Sequence, residues 1–245
     1  MTILFESLKR NYAIWHFIRY KKIADVVDGL DGKCVLDVGC GIGLLDFLLS
    51  NKMVVGVDID PQNVREANRI RKKIKAKEDS NHSFVVADLS FLPFRGSFDI
   101  IVCSEVLEHL KNDKKALKSM LSSLKQQGFV LITLPNIYPL DFSRLFKLRR
   151  TKTRIYPSHI REYHVSDIKR LVSCLPTRNV KTTGLYFDFP CFHILAIIHA
   201  RLNLPLKIRF LIYNSLQRAY TTLWAFFEER FWQYTYYILI ILSKK

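Results

Sequence analysis

The 245 residues fall in the range of one α/β domain or two smaller ones, and a single domain of this length buries a sizeable core. Thirty-eight Lys and Arg against 22 Asp and Glu leave a formal charge of +16, while an apolar content of 49% excludes a disordered chain. That charge attracts anions without choosing among RNA, acidic lipid headgroups and anionic small molecules. The five cysteines, Cys34, Cys40, Cys103, Cys174 and Cys191, form no Cys-x-x-Cys pair and are odd in number, which argues for a reducing compartment and against a secreted disulfide scaffold. Met1 to Arg10 has no apolar stretch of signal-peptide type. The longest uncharged apolar run, Tyr234 to Ser243, is about half of the ~20 residues that a membrane-crossing helix needs. The expectation is a cytoplasmic protein with no membrane span.

In chain order, Lys33 to Val38 predicts a strand that stops at glycines, and Leu44 to Ser50 continues at helical spacing. Met53 to Asp58 predicts a second strand, and Pro61 opens a basic helix from Gln62 to Lys77. Ser83 to Ala87 and Phe98 to Cys103 supply two more strands. Glu105 to Lys125 reads as helical with a break near Asn112 and Asp113, and Gln127-Gly128 closes it before the strand Phe129 to Leu134. This alternation predicts a parallel sheet with helices on both faces. From Phe142 to Arg161 there is no acid among many Lys and Arg, as in a basic loop. Val165 to Cys174 returns to helical spacing, Val180 to Phe187 looks like a strand, Cys191 to Phe231 is aromatic and helical in pattern, and Tyr234 to Leu242 suits a strand buried on both faces.

The chemistry concentrates at Asp37-Val38-Gly39-Cys40-Gly41-Ile42-Gly43, between the first strand and the helical segment after it. Glycines there let backbone approach a ligand at the carboxyl edge of the sheet, where open α/β folds bind cofactors. A dinucleotide site would carry a third glycine where Leu44 stands, and an acid at Asp37 repels phosphate, so the loop favours a cofactor without phosphate.

Together with Val55-Gly56-Val57-Asp58, Ala87-Asp88-Leu89, the run Ser97 to Leu110 and Leu131 to Asn136, this loop resembles the class I S-adenosylmethionine-dependent methyltransferases, in the small-molecule branch that includes ubiquinone-type O-methyltransferases. The resemblance is strong over Lys33 to Leu134 and loose elsewhere. It implies one domain over residues 1–245 with a Rossmann-like, mostly parallel seven-stranded sheet, helices on both faces and an antiparallel last strand. Residues 1–30 would form a helical cap over the cofactor side, with Trp15, Phe17 and Tyr20 as pocket walls or ordinary packing. Residues 31–135 would hold the cofactor, 136–164 the basic loop, and 188–232 a helical insertion or lid. The implied cofactor site is Asp37, Gly39, Cys40, Gly41, Gly43, Asp58, Ile59, Asp88, Leu89 and Ser104. In it Asp58 takes the ribose hydroxyls and Asp88 the adenine amino group, although both acids also suit turns.

Methyl transfer from a sulfonium is an in-line displacement, so alignment does much of the work and a base is needed only for an acceptor that holds a proton. The catalytic candidates are His159, His109 and Glu105, with Glu108 brought to the same helix face by i, i+3, i+4 spacing. Glu-x-x-Glu-His followed by His159 or His164 resembles the metal-binding arrangement of ubiquinone O-methyltransferases and small-RNA 2′-O-methyltransferases. Capping and packing compete with that reading, so a divalent metal is possible but not favoured, and the expected site contains none. Ser166 suits an N-cap. The acceptor is expected to be a small or lipid-like molecule with a hydroxyl. The alternatives are an RNA methyltransferase using the basic loop and a non-catalytic cofactor-binding protein. A nicotinamide-linked reductase is disfavoured by the missing third glycine. The apolar and basic residues between Phe187 and Tyr213 also suit contact with an anionic membrane surface, a lid or a dimer contact.

Overall fold

The computed structural model of the chain describes residues 13–49, 51–75, 81–136, 159–185 and 237–244. Its strands are β1 Cys34–Val38, β2 Met53–Asp58, β3 His82–Val86, β4 Phe98–Ser104, β5 Leu124–Pro135, β6 Thr177–Leu185 and β7 Tyr237–Lys244. They form a seven-stranded sheet in the order β3-β2-β1-β4-β5-β7-β6. The first five pair in parallel, and β7 runs antiparallel to both of its neighbours, as the resemblance implied. The described helices are α1 Ala13–Asp28, α2 Pro61–Lys75, α3 Asp113–Ser123 and α4 Val165–Ser173.

Strand side chains alternate between the two faces, and apolar residues at both parities require cover on each. On one face Val35, Val54, Ile100, Val102 and Leu131 pack with Ile23, Ala24 and Val27 of α1. On the other, Leu36, Val38, Ile101 and Ile132 pack with Ala116, Leu117 and Met120 of α3 and Ile168 and Leu171 of α4. Val64 and Ala67 of α2 close over Phe84 at the β3 side. The strand starts are tied by Asp99, whose Oδ2 accepts the amides of Lys33 and Cys34 at 3.1 and 3.0 Å and whose Oδ1 accepts Lys125 Nζ at 2.8 Å. Strand order reverses between β1 and β4, so a crevice opens at their carboxyl ends.

Three local expectations change. Leu44 to Ser50 yields, among the described residues, one 3-10 turn at Asp46–Leu48 instead of a helix. Gly43 holds a left-handed φ of 77°, and the stretch left before Lys52 turns back onto Leu49 is too short to offset the cost of nucleating a helix. The segment Glu105 to Lys125 is not one broken helix. Glu105 itself has φ 59°, a 3-10 turn covers Leu107–His109, and α3 starts only after Asn112, whose Oδ1 caps it by accepting Lys115 N–H at 3.0 Å. β5 begins five residues ahead of the expected Phe129, because Gln127 takes a left-handed φ of 62° and lets the chain pass from Leu124 into the sheet. The basic stretch up to Ser158, the 188–232 segment, the first twelve residues and the side chains of Trp15 and Phe17 lie outside the described residues. Among the described residues no helix is long and apolar enough to cross a membrane.

Ile132 sits on the interior strand β5, between Cys103 of β4 and Ile240 of β7, with no exposed surface. Ile132→Ala is expected to cost about 2–5 kcal/mol, read from chemical denaturation, because rigid neighbours on both strands leave the cavity open.

Candidate active site

The turn after β1 is built by backbone that only glycine tolerates. Gly39 has φ 73°, and a Cβ there would lie 2.4 Å from Val106 Cγ2; Gly43 has φ 77°, and its Cβ would meet the Phe84 ring at 2.7 Å. Between them a Cβ on Gly41 would face open space, so this backbone is the part of the turn that a ligand can approach. The amides of Gly39 and Cys40 donate to Val57 O at 2.7 and 3.0 Å, and Gly41 N–H donates to Asp58 Oδ2 at 2.9 Å. The other oxygen of Asp58 accepts Asp60 N–H at 2.8 Å and Asn63 Nδ2 at 3.4 Å. An ionised carboxylate has about four acceptor positions, so Asp58 retains capacity for a ligand hydroxyl. The Cys40 thiol packs beneath the turn and is pushed far up by burial and by Asp37, Asp46 and Asp58, which makes it a packing group and not a nucleophile.

The remaining expected cofactor residues stand at neighbouring strand ends. Ile59 is exposed beside Asp58. Asp88 is exposed and caps the turn Leu89–Phe91 by accepting Ser90 N–H at 2.7 Å, while the Leu89 side chain is buried in the core. Ser104 Oγ lies 3.0 Å from Thr133 Oγ1 at the ends of β4 and β5.

The structure divides the expected catalytic set. The i, i+3, i+4 argument fails for Glu105, because its left-handed φ takes it off any helix. Its carboxylate turns instead to Thr133 Oγ1, which donates at 3.1 Å, and to Arg19 of α1, 3.6 Å away. Burial raises its pKa, opposed mainly by the Arg19 charge. The Arg19 guanidinium lies over the rings of Tyr20 and Tyr237, at 5.2 and 5.0 Å from their centroids, so Tyr20 supports this ion pair. Glu108, His109 and His159 do come together, with one ligand atom from each within 4.8 Å of the others. The two imidazoles meet edge to face at 4.8 Å between centroids. Both carboxyl oxygens of Glu108 are buried without a hydrogen-bond donor, and burial followed by the charge of Glu105 pushes its pKa up to about 8. Burial and the neighbouring His109 lower the pKa of His159. His164 is not in the cluster: it takes the N-cap of α4 expected of Ser166, its amide donating to Asp167 Oδ2 at 3.1 Å.

Residues that sequence reasoning did not single out hold His159 in place. The amides of Ile160 and Arg161 donate to Glu108 O at 2.9 and 3.2 Å. Arg161 Nη1 donates to Asp113 Oδ2 at 2.6 Å and Nη2 to Lys111 O at 2.8 Å, and Tyr163 OH donates to the same Asp113 oxygen at 2.9 Å. Arg161, expected in a basic loop, is thus committed to an internal ion pair. Asp46, also missed, is fully buried beside Asp37 under the glycine turn. An acid inside the apolar run Leu44 to Leu49 was the available signal.

Comparison with known proteins agrees with this geometry. Residues 30–171 match the family described as "Methyltransferase domain". A ubiquinone biosynthesis O-methyltransferase from Idiomarina loihiensis is 32% identical over 49% of this chain and 49% of its own length. A tRNA (carboxymethyluridine(34)-5-O)-methyltransferase from Arabidopsis thaliana is 30% identical over 59% of this chain and 34% of its own length. The chain thus spans about half the length, or less, of these two relatives. The crystal structure of magnesium protoporphyrin IX methyltransferase from Synechocystis with bound S-adenosylhomocysteine superposes with a TM-score of 0.58 at 18% identity, over 95% of this chain and 85% of that one, which is likeness of fold. The family match covers more than half of the chain, and it coincides with a phosphate-averse glycine turn at the β1–β4 crevice: the chain belongs to the class I S-adenosylmethionine-dependent methyltransferases.

Proposed function

We propose that this chain transfers the methyl group of S-adenosylmethionine to a hydroxyl of a small or lipid-like acceptor, and that the acceptor hydroxyl meets the cofactor beside Glu108, His109 and His159. The observation that carries this reading is the pairing of a buried carboxylate lacking any donor with two imidazoles, next to the crevice where the cofactor turn lies. Methyl transfer to a hydroxyl needs such a group, because the attacking oxygen must lose its proton during the displacement. The name of the ubiquinone-biosynthesis relative supports the hydroxyl acceptor.

His159 suits the proton-accepting role. Burial and the neighbouring His109 lower its pKa, which favours the neutral imidazole that a proton acceptor must be. The Asp113–Arg161–Tyr163 clamp fixes the backbone from which it projects. Asp58 holds the cofactor sugar through charge-assisted hydrogen bonds, and Gly41 leaves the backbone open to it. The same three side chains also fit a divalent cation: two nitrogen donors and a carboxylate that lacks any other partner form a donor set of the kind such ions take. A cation bound there by Glu108, His109 and His159 supplies a Lewis acid that acidifies a hydroxyl.

A second reading, methylation of RNA, draws on the Arabidopsis relative and on the net charge of +16. Filter binding separates the two: an RNA substrate gives retention that falls steeply with salt, and a small acceptor gives none. Incubation with radiolabelled cofactor and fractionated lipid, RNA and metabolite pools then identifies the acceptor.

Asp58→Ala is expected to weaken cofactor binding at least tenfold by calorimetry, since each charge-assisted hydrogen bond contributes about 1.5–3 kcal/mol; unchanged affinity removes Asp58 from the site. His159→Ala is expected to abolish turnover while cofactor affinity stays intact, and loss of both together indicates misfolding instead. In equilibrium dialysis against Mn²⁺ or Zn²⁺, the unsubstituted protein is expected to retain an ion that Glu108→Gln does not. Equal retention by both removes Glu108 from the cation site and leaves the His159 assignment standing.

A further inference from the structure

Under the glycine turn three acids gather with no base. Asp46 has no exposed surface, and neither of its carboxyl oxygens finds a hydrogen-bond donor. Its Oδ2 lies 3.4 Å from the point where a Cβ on Gly43 would stand, directly beneath the turn. The group beside it is Asp37 at the end of β1, 3% exposed, with Asp58 of β2 acting on Asp37 from the next strand. The other titratable groups nearby are the Cys40 thiol in the turn and, one layer out, His82 of β3, whose ring meets Phe47 at 5.9 Å and whose pKa burial lowers. Among the described residues no Lys, Arg or His acts on either Asp37 or Asp46. A protein with a charge of +16 therefore keeps a base-free acidic pocket at its cofactor turn.

Two carboxylates facing one another in a dry interior cannot both stay ionised, and they hydrogen bond to each other only when one of them keeps a proton. Burial and mutual repulsion push the pKa of Asp37 well up, and burial does the same for Asp46. A ligand cation changes that balance. S-adenosylmethionine carries a sulfonium and an ammonium against one carboxylate, and it is net positive; its demethylated product has a neutral thioether and no net charge. We propose that Asp46 is a cofactor-positioning residue that forms with Asp37 a proton-sharing acid pair, which releases its proton to solvent when the positive end of S-adenosylmethionine docks against the turn. The pair then holds the cofactor by charge, and its pull weakens once the methyl group and the sulfonium charge are gone. No bond other than O–H is broken, and the proton passes to water or buffer.

The sign of the pH dependence follows. The cation favours the ionised pair, so affinity rises with pH until the pair is ionised without ligand and is flat above that. One proton released means about a tenfold loss of affinity for each pH unit below that point. The inference rests on the cofactor assignment. It is tested by calorimetry of S-adenosylmethionine binding in two buffers of different ionisation enthalpy, Tris and phosphate, between pH 6 and 8.5. The expected result is proton release by the unsubstituted protein near neutral pH, less release with S-adenosylhomocysteine, and none with Asp46→Asn, whose affinity becomes flat with pH. Binding of S-adenosylmethionine without proton release overturns this inference and leaves the methyltransferase reading intact; no binding at any pH overturns both. Equal proton release by Asp46→Asn or Asp46→Ser, either one folded by thermal melt, moves the titrating group elsewhere and overturns the role of Asp46.

Discussion

The glycine turn after β1 is the constraint on which the rest of the site depends. A left-handed Gly39 and Gly43 let the chain double back within five residues, against Val106 from the end of β4 and Phe84 from β3. That closeness brings the amide of Gly41 onto Asp58 and leaves the same backbone open on its other side. A side chain at either glycine would push the turn away from both strands. The shape of the turn therefore comes from sterics at two positions, and the acids near it are placed by the turn around them.

The cluster of Glu108, His109 and His159 is assembled from parts far apart in the chain. Glu108 and His109 come from a short turn after β4, and His159 comes from some fifty residues further along the chain, so their meeting depends on what holds residues 159–163. Backbone amides on Glu108 O and the Arg161–Asp113–Tyr163 cluster do this. Asp113 is also the first residue of α3, and the same helix start that follows the Asn112 cap therefore fixes the histidine. The start of α3 and the placing of His159 share these residues.

Charge is distributed unevenly between the surface and the site. The chain is strongly basic, yet the carboxyls of Asp37, Asp46 and Glu108 are buried and that of Glu105 is mostly so, and among the described residues Arg19 pairs with Glu105 and acts more weakly on Glu108. Buried acids without counter-charges resist ionising, which costs stability unless a ligand supplies the positive charge. This arrangement agrees with a cofactor that is a cation and with a cation site at Glu108.

The sequence by itself determined the strand rhythm, the glycine turn after the first strand and, through the motifs that resemble one family, the cofactor class. Those signals are local: apolar runs with period two, glycines at spaced positions, and an acid at the end of the second strand. It also put Glu108, His109 and His159 among the candidates. It put Glu105 on one helix face with Glu108 and His109, but that spacing assumes a helix, and a single left-handed residue at the strand exit removes it. It missed Asp46 and the Arg161–Asp113–Tyr163 clamp, and it gave the cap of α4 to Ser166 instead of His164. Only the tertiary structure decided which acids lose their water, which find a base and which face each other, because burial and pairing depend on residues tens of positions away that the fold alone brings into contact.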